Sequence, residues 1–327
     1  MTILGIETSC DETGIGLLKN GKIPVNLIAT QEEIHSGYGG IVPELASRAH
    51  LERIDELFTK ALERGGIKPA DIDYIGVTNH PGLKGSLMVG VSFACALAYA
   101  LDIPVYKVNH LYSHLAANFM DPGVEFPALG LVISGGHTTF FYIENPVEFR
   151  VMGKTLDDAC GETFDKAGRI LGLGFPGGPH IEKAAAEGDE KKIKFPVALL
   201  DAEHCLDFSF SGLKTAVLYH VRKHGLKNIP DICAGFQKAA GDTLVEKTGR
   251  CMERYKVKSF LLGGGVTRNR YIRERFRRLL DGKGVKLFMP DAKLCLDNGA
   301  MIAAMTYFLV KYGVKPSSKK IEVIPTQ

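Results

Sequence analysis

Apolar and polar positions come in short blocks along the chain. Ile3, Leu4, Gly5 and Ile6 are apolar, residues 7–12 are polar, and residues 15–18 are apolar again. Two apolar runs with a polar, glycine-adjacent connection predict a β-hairpin. The plan returns far downstream. Leu131, Val132 and Ile133 lead into the small polar loop Ser134-Gly135-Gly136-His137-Thr138, and residues 140–143 are apolar. A supersecondary unit repeated at long spacing predicts two lobes with equivalent loops, expected to face one cleft.

Between the repeats, residues 43–64 predict a helix. Pro43 suits its first turn, Ile54, Leu57, Phe58, Ala61 and Leu62 carry helical periodicity, and Gly65-Gly66 stops it. Residues 74–78 predict a strand, residues 85–101 a buried helix of small apolar residues, and residues 105–108 another strand. Further on, helices are expected near 157–171, 234–255, 268–280 and 298–312. A strand is expected at 259–262, Gly- and Pro-rich turns at 172–179 and 263–265, and an insertion or surface loop near 184–206. Helix 298–312 is strongly apolar and is expected to cross back to the first lobe. Strands alternating with helices make this an α/β chain.

Length and composition fit that picture. At 327 residues the chain suggests two domains, and 45% hydrophobic with 24% charged residues is ordinary for a globular protein. Seven scattered cysteines without a C-x-x-C pair argue against a disulfide framework or a cysteine zinc site and for a reducing compartment. The N-terminus turns acidic at once, so no signal peptide is expected, and no apolar stretch reaches the length of a membrane span. A net charge of +3 permits a nucleic-acid partner without demanding one.

Several groups could carry chemistry. His110 and His114 stand four apart in NHLYSHL. On a helix both imidazoles reach one cation, zinc or iron by ligand type; otherwise they are one exposed and one packed histidine. Leu111 stands where a zinc protease needs its Glu, which removes that chemistry. Asp297, in CLDNGA, is either a third ligand or a helix N-cap. Ser134–Thr138, Pro176-Gly177-Gly178-Pro179 and the run 263–269 are Gly-rich loops that can cradle phosphate or simply turn. None matches a Walker A loop or a clear dinucleotide fingerprint. Arg268, Arg270, Arg273, Arg275, Arg277 and Arg278 crowd one predicted helix, which suits RNA phosphates or a solvated face.

Taken together the motifs resemble a known family end to end. They are GIETSCDET (5–13), GGIVPELASRAH (39–50), HPGLKGSLMVG (80–90), HLYSH (110–114), SGGHT (134–138), GETFDKAGRILGLGFPGGP (161–179), DFSFSGLKTAV (207–217), GGGVTRNR (263–270) and CLDNGAMIA (295–303). The chain resembles the tRNA adenosine threonylcarbamoyltransferases of the bacterial TsaD type, related to glycoprotease-like sequences. The resemblance implies the two-lobed actin-like fold of actin, Hsp70 and sugar kinases, with duplicated ribonuclease-H-like domains around a nucleotide cleft. A first lobe of 1–108 plus 304–327 would bind a partner. A second lobe of 109–303 would carry the metal and most nucleotide contacts.

The resemblance also implies one Fe²⁺ or Zn²⁺ on His110, His114 and Asp297, acting as a Lewis acid. Val132, Ile133, Ser134, Gly135, Gly136, Asp165, Gly178, Glu182 and Asn269 would contact threonylcarbamoyl-AMP, with AMP as product and ATP able to occupy the same cleft. His137 is a candidate general base. The activity implied is transfer of threonylcarbamoyl to the exocyclic amine of the adenosine 3′ of the anticodon, in the cytoplasm. Implied partners are tRNA, a shorter paralogue of the TsaB type docked on first-lobe helices such as 43–64, a small ATPase of the TsaE type, and a second copy of the isolated chain. No membrane partner is implied. The competing readings are an ATPase or small-molecule kinase of the same superfamily, a metalloprotease, and a non-catalytic scaffold. Two departures from the family pattern stand out: Tyr112 and Ser113 replace Glu and Gly between the ligand histidines, and His80 replaces the first Gly of a Gly-Pro-Gly.

Overall fold

The computed structural model describes residues 1–198 and 206–325. The chain divides into two compact units, Met1–Gly123 with Leu296–Gln327, and Val124–Cys295. The division therefore runs at 123/124 and 295/296, not at the expected 108/109 and 303/304. Residues 109–123 and 296–303 pack in the first unit, and His110, His114 and Asp297 go with them.

The first unit opens on the predicted hairpin, β1 (Thr2–Glu7) and β2 (Glu12–Lys19), which pair antiparallel with Ile6 opposite Ile15 and Glu7 opposite Gly14. β3 (Lys22–Thr30) completes a meander. It carries Pro24 and lies at the sheet edge, where a missing N–H is tolerated. After the short α1 (Glu32–Ser36), α2 (Pro43–Gly65) starts on its proline. It ends where Gly66 takes a left-handed φ of 59° and its N–H turns back to the carbonyls of Leu62 and Glu63. β4 (Tyr74–His80), α3 (Lys84–Leu101), β5 (Val105–Asn109) and α4 (His110–Ala116) follow. β4 and β5 add parallel to β1, giving the order β3-β2-β1-β4-β5. α3 is long and apolar enough to cross a membrane by length and composition, but it packs on α2 and β4. It buries one face, not its whole surface: Ala94 and Ala98 are inside while Met88 and Tyr99 are exposed.

In the second unit, β6 (Ala128–Ile133), β7 (Thr138–Asn145) and β8 (Glu148–Lys154) form the second meander. α5 (Cys160–Ile170) and α6 (Gly177–Ala185) follow; the glycine pair expected in a turn begins α6 instead. Of the expected insertion, 184 and 185 end α6, 186–198 form a non-helical strap, and 199–205, with Cys205, lie outside the described residues. Then come α7 (Ser211–His224), α8 (Ile229–Arg254), β9 (Ser259–Gly263), α9 (Arg270–Leu280) and β10 (Lys286–Phe288). The sheet order is β10-β9-β6-β7-β8. β6 pairs antiparallel with β7 and parallel with β9. Strand for strand this is the first sheet again.

The last helix, α10 (Gly299–Lys311), belongs to the first unit. It covers the face of that sheet opposite α2 and α3, packing on β1, β2 and α4. β1 is thus buried on both faces and reads as an unbroken apolar run. The approach is close: a Cβ on Gly299 would sit 2.1 Å from the Gly16 nitrogen and 2.6 Å from the Gly5 oxygen. Glycines on both partners allow helix and sheet backbones to touch.

A buried His–His–Asp corner

Parallel strands deliver their carboxyl ends to one edge of the first sheet, and the first unit's chemistry collects there. β1 ends in Glu7, β4 in His80, and β5 in Asn109, directly before His110. Asn109 caps α4, its side-chain oxygen accepting from the N–H of Leu111 (2.8 Å) and Tyr112 (3.2 Å). His110 and His114 then lie one turn apart on the same face, as their spacing requires, with ring centroids 4.7 Å apart.

Asp297 reaches this pair from the segment before α10. Its Oδ1 is 3.5 Å from Nε2 of His110 and 3.1 Å from Nε2 of His114. The N-cap role that competed for Asp297 is filled by its neighbour: Asn298 accepts from Met301 N–H at 2.9 Å. One ligand atom from each of the three residues lies within 4.8 Å of the other two.

A cation suits the donor set. Both ring nitrogens of His114 are buried; Nδ1 has no partner, and Nε2 has only the Asp297 carboxylate at 3.1 Å. A buried, poorly paired imidazole is costly, and a metal at Nε2 gives it a partner. Behind His110, Nδ1 lies 3.1 Å from Oε2 of the fully buried Glu7 and 3.1 Å from Oγ of Ser9. Facing a carboxylate, Nδ1 carries the proton and leaves Nε2 free to ligate, the arrangement in which a carboxylate orients a metal-binding histidine. Glu7 is itself held by Ser9 N–H and Thr78 Oγ1, both at 2.6 Å.

Charge in the corner follows from burial and these neighbours. Burial disfavours a charged His110, but Asp297 and Glu7 outweigh it and raise its pKa to about 9. Burial holds His114 below its ordinary value despite the nearby Asp297. Burial also works against the Glu7 anion, yet the charge and hydrogen bond of His110 bring its pKa down overall. Without a metal His110 therefore carries a second proton, on Nε2 beside Asp297, while His114 stays neutral; a divalent cation can replace that Nε2 proton.

Sequence reasoning passed over Glu7 and Ser9. The available signal was a carboxylate closing an apolar parallel strand. The His80 departure also has a role. His80 Nδ1 lies 2.7 Å from Asn79 Oδ1, and its Nε2 accepts from Asn109 Nδ2 at 3.0 Å. It thereby orients the amide that caps α4. Ser113 Oγ donates to the Asn109 carbonyl at 2.8 Å.

The residues expected to contact an adenylate all lie in the second unit. Val132 and Ile133 end β6, and residues 134–137 form a tight turn in which Ser134 N–H donates to the His137 carbonyl at 2.8 Å. Gly135 and Gly136 are exposed, with no atom within 4 Å of where a Cβ would stand. Gly161 and Glu162 donate their N–H groups to the carbonyls of Ser134 and Gly135, tying the start of α5 to this turn. Asp165 accepts from Gly177 N–H at 2.7 Å and so caps α6, where Gly178 also faces open space. Glu182 accepts from Arg270 N–H at 2.7 Å, and Asn269 caps α9 through Ile272 N–H while donating to Gln237. Glu182, Gln237, Arg270 and Tyr271 line a cavity of about 580 Å³.

The α9 arginines are mostly engaged. Arg273 donates to the carbonyls of Thr267 and Pro290, Arg275 pairs with Asp242, and Arg277 and Arg278 share Glu274. Arg268 and Arg270 remain exposed.

Known proteins agree with this architecture. Component A of the (R)-2-hydroxyglutaryl-CoA dehydratase of Acidaminococcus fermentans superposes over 94% of this chain and 97% of its own, at TM-score 0.57 and 19% identity. Full-length HypF matches 97% of this chain with 47% of its own, at TM-score 0.63 and 15% identity. The fold is therefore the α/β actin-like fold, as expected. The sequence defines the class further. A tRNA N6-adenosine threonylcarbamoyltransferase from Thermosipho africanus is 44% identical over 99% of both chains, and one from Syntrophomonas wolfei is 46% identical over 94% of this chain and 91% of its own. The profile of TsaD, tRNA N6-adenosine threonylcarbamoyltransferase, matches residues 22–304, and the chain belongs to that family of tRNA-modifying transferases.

Proposed function

We propose that the corner of His110, His114 and Asp297 is the metal centre of a threonylcarbamoyl transfer from threonylcarbamoyl-AMP to the exocyclic amine of the adenosine 3′ of the anticodon. The observation that carries it is the buried His114, whose Nε2 faces only the Asp297 carboxylate, with His110 backed by Glu7. Bound there, one zinc or iron ion supplies Lewis acidity toward the carbamoyl oxygen.

The chain's own residues do the rest. Glu7 keeps the His110 proton on Nδ1 and fixes the ring. Backbone at Gly135, Gly136 and Gly178, open to an approaching anion, receives the phosphate. Asp165, Glu182 and Asn269 keep these loops in place by capping α6 and α9. The amine nitrogen bonds to the carbamoyl carbon, the carbon–oxygen bond to phosphate breaks, AMP leaves, and the amine loses one proton. His137, on the β6–β7 turn, is the acceptor in this reading. The proposed metal ligands lie on the first unit and the proposed adenylate residues on the second.

We place the enzyme in the cytoplasm with a TsaB-type paralogue and a TsaE-type ATPase as partners, the former on first-unit helices such as α2; the isolated chain would pair with itself. The test is His110→Ala with His114→Ala, reading bound metal and transfer to tRNA. Both are expected to vanish, and full transfer by the metal-free variant overturns the reading. Release of γ-phosphate from ATP by the isolated chain would favour the ATPase alternative.

A further inference from the structure

Phosphate recognition needs cations that are exposed and not already neutralised. The Arg-rich α9 fails that requirement at four of its five arginines, Arg273, Arg275, Arg277 and Arg278. A different surface of the same unit meets it. From residue 208 to residue 230 the chain contains no carboxylate, yet it carries Lys214, Arg222, Lys223 and Lys227 with His220 and His224.

α7 buries Leu213 and Val217 against the core and leaves Arg222, Lys223 and Lys227, just past its end, exposed. Alongside runs the strap after α6. Its Phe195 ring packs 5.8 Å from the His220 ring, and Lys192 pairs with Asp231 at the start of α8. The strap adds the exposed Lys191 and Lys194. Lys191, Lys194, Arg222, Lys223 and Lys227 have no ion-pair partner among the described residues. Most neighbouring carboxylates are occupied: Asp158 holds Lys166 and Lys214, Asp231 holds Lys192, Glu190 accepts from Tyr271, and Asp189 accepts from the Lys191 N–H; Glu187, at the start of the strap, is exposed. An exposed aromatic ring stands among the cations. Tyr219 is 63% exposed and shares a helix face with Arg222 and Lys223, three and four positions on.

We infer that the C-terminal half of α7 and the adjoining strap form a surface that grips the ribose-phosphate backbone of the RNA substrate, with Tyr219 as a stacking platform. The inference rests on tRNA being the substrate, as the family defines it, and deepens that reading by placing the contact. Unpaired cations on a strap and a helix end suit a polyanion followed along its backbone. An exposed tyrosine beside them suits an unpaired base.

The test is tRNA binding by the full chain as a function of salt, for the parent, R222Q/K223Q/K227Q, Y219A, and R268Q/R270Q at the start of α9. All these side chains are exposed, so melting temperatures are expected to hold. Removing three phosphate contacts should flatten the slope of log affinity against log salt by about 2–3 and weaken binding at least tenfold at moderate salt. Y219A should weaken binding without changing that slope. The α9 variant should change it by less than the α7 variant.

An unchanged slope and affinity in the α7 variant, or a parent chain that binds no tRNA at low salt, overturns the inference. So does α7-dependent binding to phosphatidylserine vesicles without any effect on tRNA. Failure here is separable from failure of the proposed chemistry: the metal-site variant reports on transfer, and its binding of tRNA should match the parent.

Discussion

Replacing Gly299 with alanine would place one methyl group in the seam where α10 meets the first sheet. The new Cβ would stand 2.1 Å from the Gly16 nitrogen and 2.4 Å from the Ile15 carbonyl carbon, where ordinary contact begins at 3.4 Å. The obstructing atoms are backbone in the middle of a sheet, so no side chain can swing aside. The start of α10 has to move outward by about 1.3 Å, which is the shortfall. Overpacking of this kind costs about 1–3 kcal/mol, and the upper end applies where only backbone can yield.

Asp297 lies two residues before the seam, so the displacement passes to its carboxylate. A metal–oxygen bond of about 2.0–2.2 Å does not stretch by an ångström. Affinity for zinc is expected to fall at least tenfold. The assay is zinc titration against a chromophoric chelator, with thermal melting in parallel. Affinity within twofold of the parent, with an unchanged melting temperature, would refute the chain of reasoning from seam to ligand.

Other outcomes are expected. Glu7→Gln removes the carboxylate behind His110 and should weaken zinc binding about 10–100-fold; equal affinity would show that Glu7 does not act through the metal ligand. Chelation of bound metal should lower the melting temperature of the parent but not of His110→Ala/His114→Ala, because only the former gains stability from ligand binding; equal shifts would place the metal elsewhere. His80→Phe leaves the Asn109 amide without its acceptor and should weaken metal binding several-fold, read by the same titration. It is contradicted by an unchanged constant. Asp157 and Asp158 face opposition from burial, but Ser209 and Ser211 for the first, and Lys166 and Lys214 for the second, hold their pKa values below the ordinary one. Depressed folded values mean that their stabilisation is complete above the unfolded pKa of about 3.9 and is lost as pH falls through the lower folded values. Urea midpoints measured from pH 5 downward should fall less steeply for Asp157→Asn/Asp158→Asn than for the parent; identical pH profiles would remove these two carboxylates from the account.

The legible parts of the fold were those with strong local signals. The two hairpins stood out because each joins apolar runs through a short polar link. α2 stood out because Pro43 and Gly66 bracket a periodic run. β3 was missed because Pro24 and Asn26 interrupt its pattern, and β8 because EFRVMGK mixes charge with apolar residues on an edge strand with few buried positions. α7 was missed because its buried face is reduced to Leu213 and Val217. In the corner, the His pair was visible from spacing alone. Asp297 could not be separated from an N-cap until Asn298 proved to be the cap. The unit boundary was misplaced for a physical reason. α4 leaves β5 without a linker and packs on α10, so the chain crosses only after residue 123.

The matched strand order of the two sheets supplies an internal control that few enzymes offer. By register, the position that closes β1 as Glu7 is occupied in the sister sheet by Ile133, opposite Thr138 as Glu7 is opposite Gly14. One backbone plan thus ends once in a buried acid and once in a hydrocarbon that leads into a neutral glycine turn. Specialisation of the two halves has been written at strand ends, with the scaffold left alone, so a graft of single residues between equivalent ends can ask how little sequence separates the two kinds of corner.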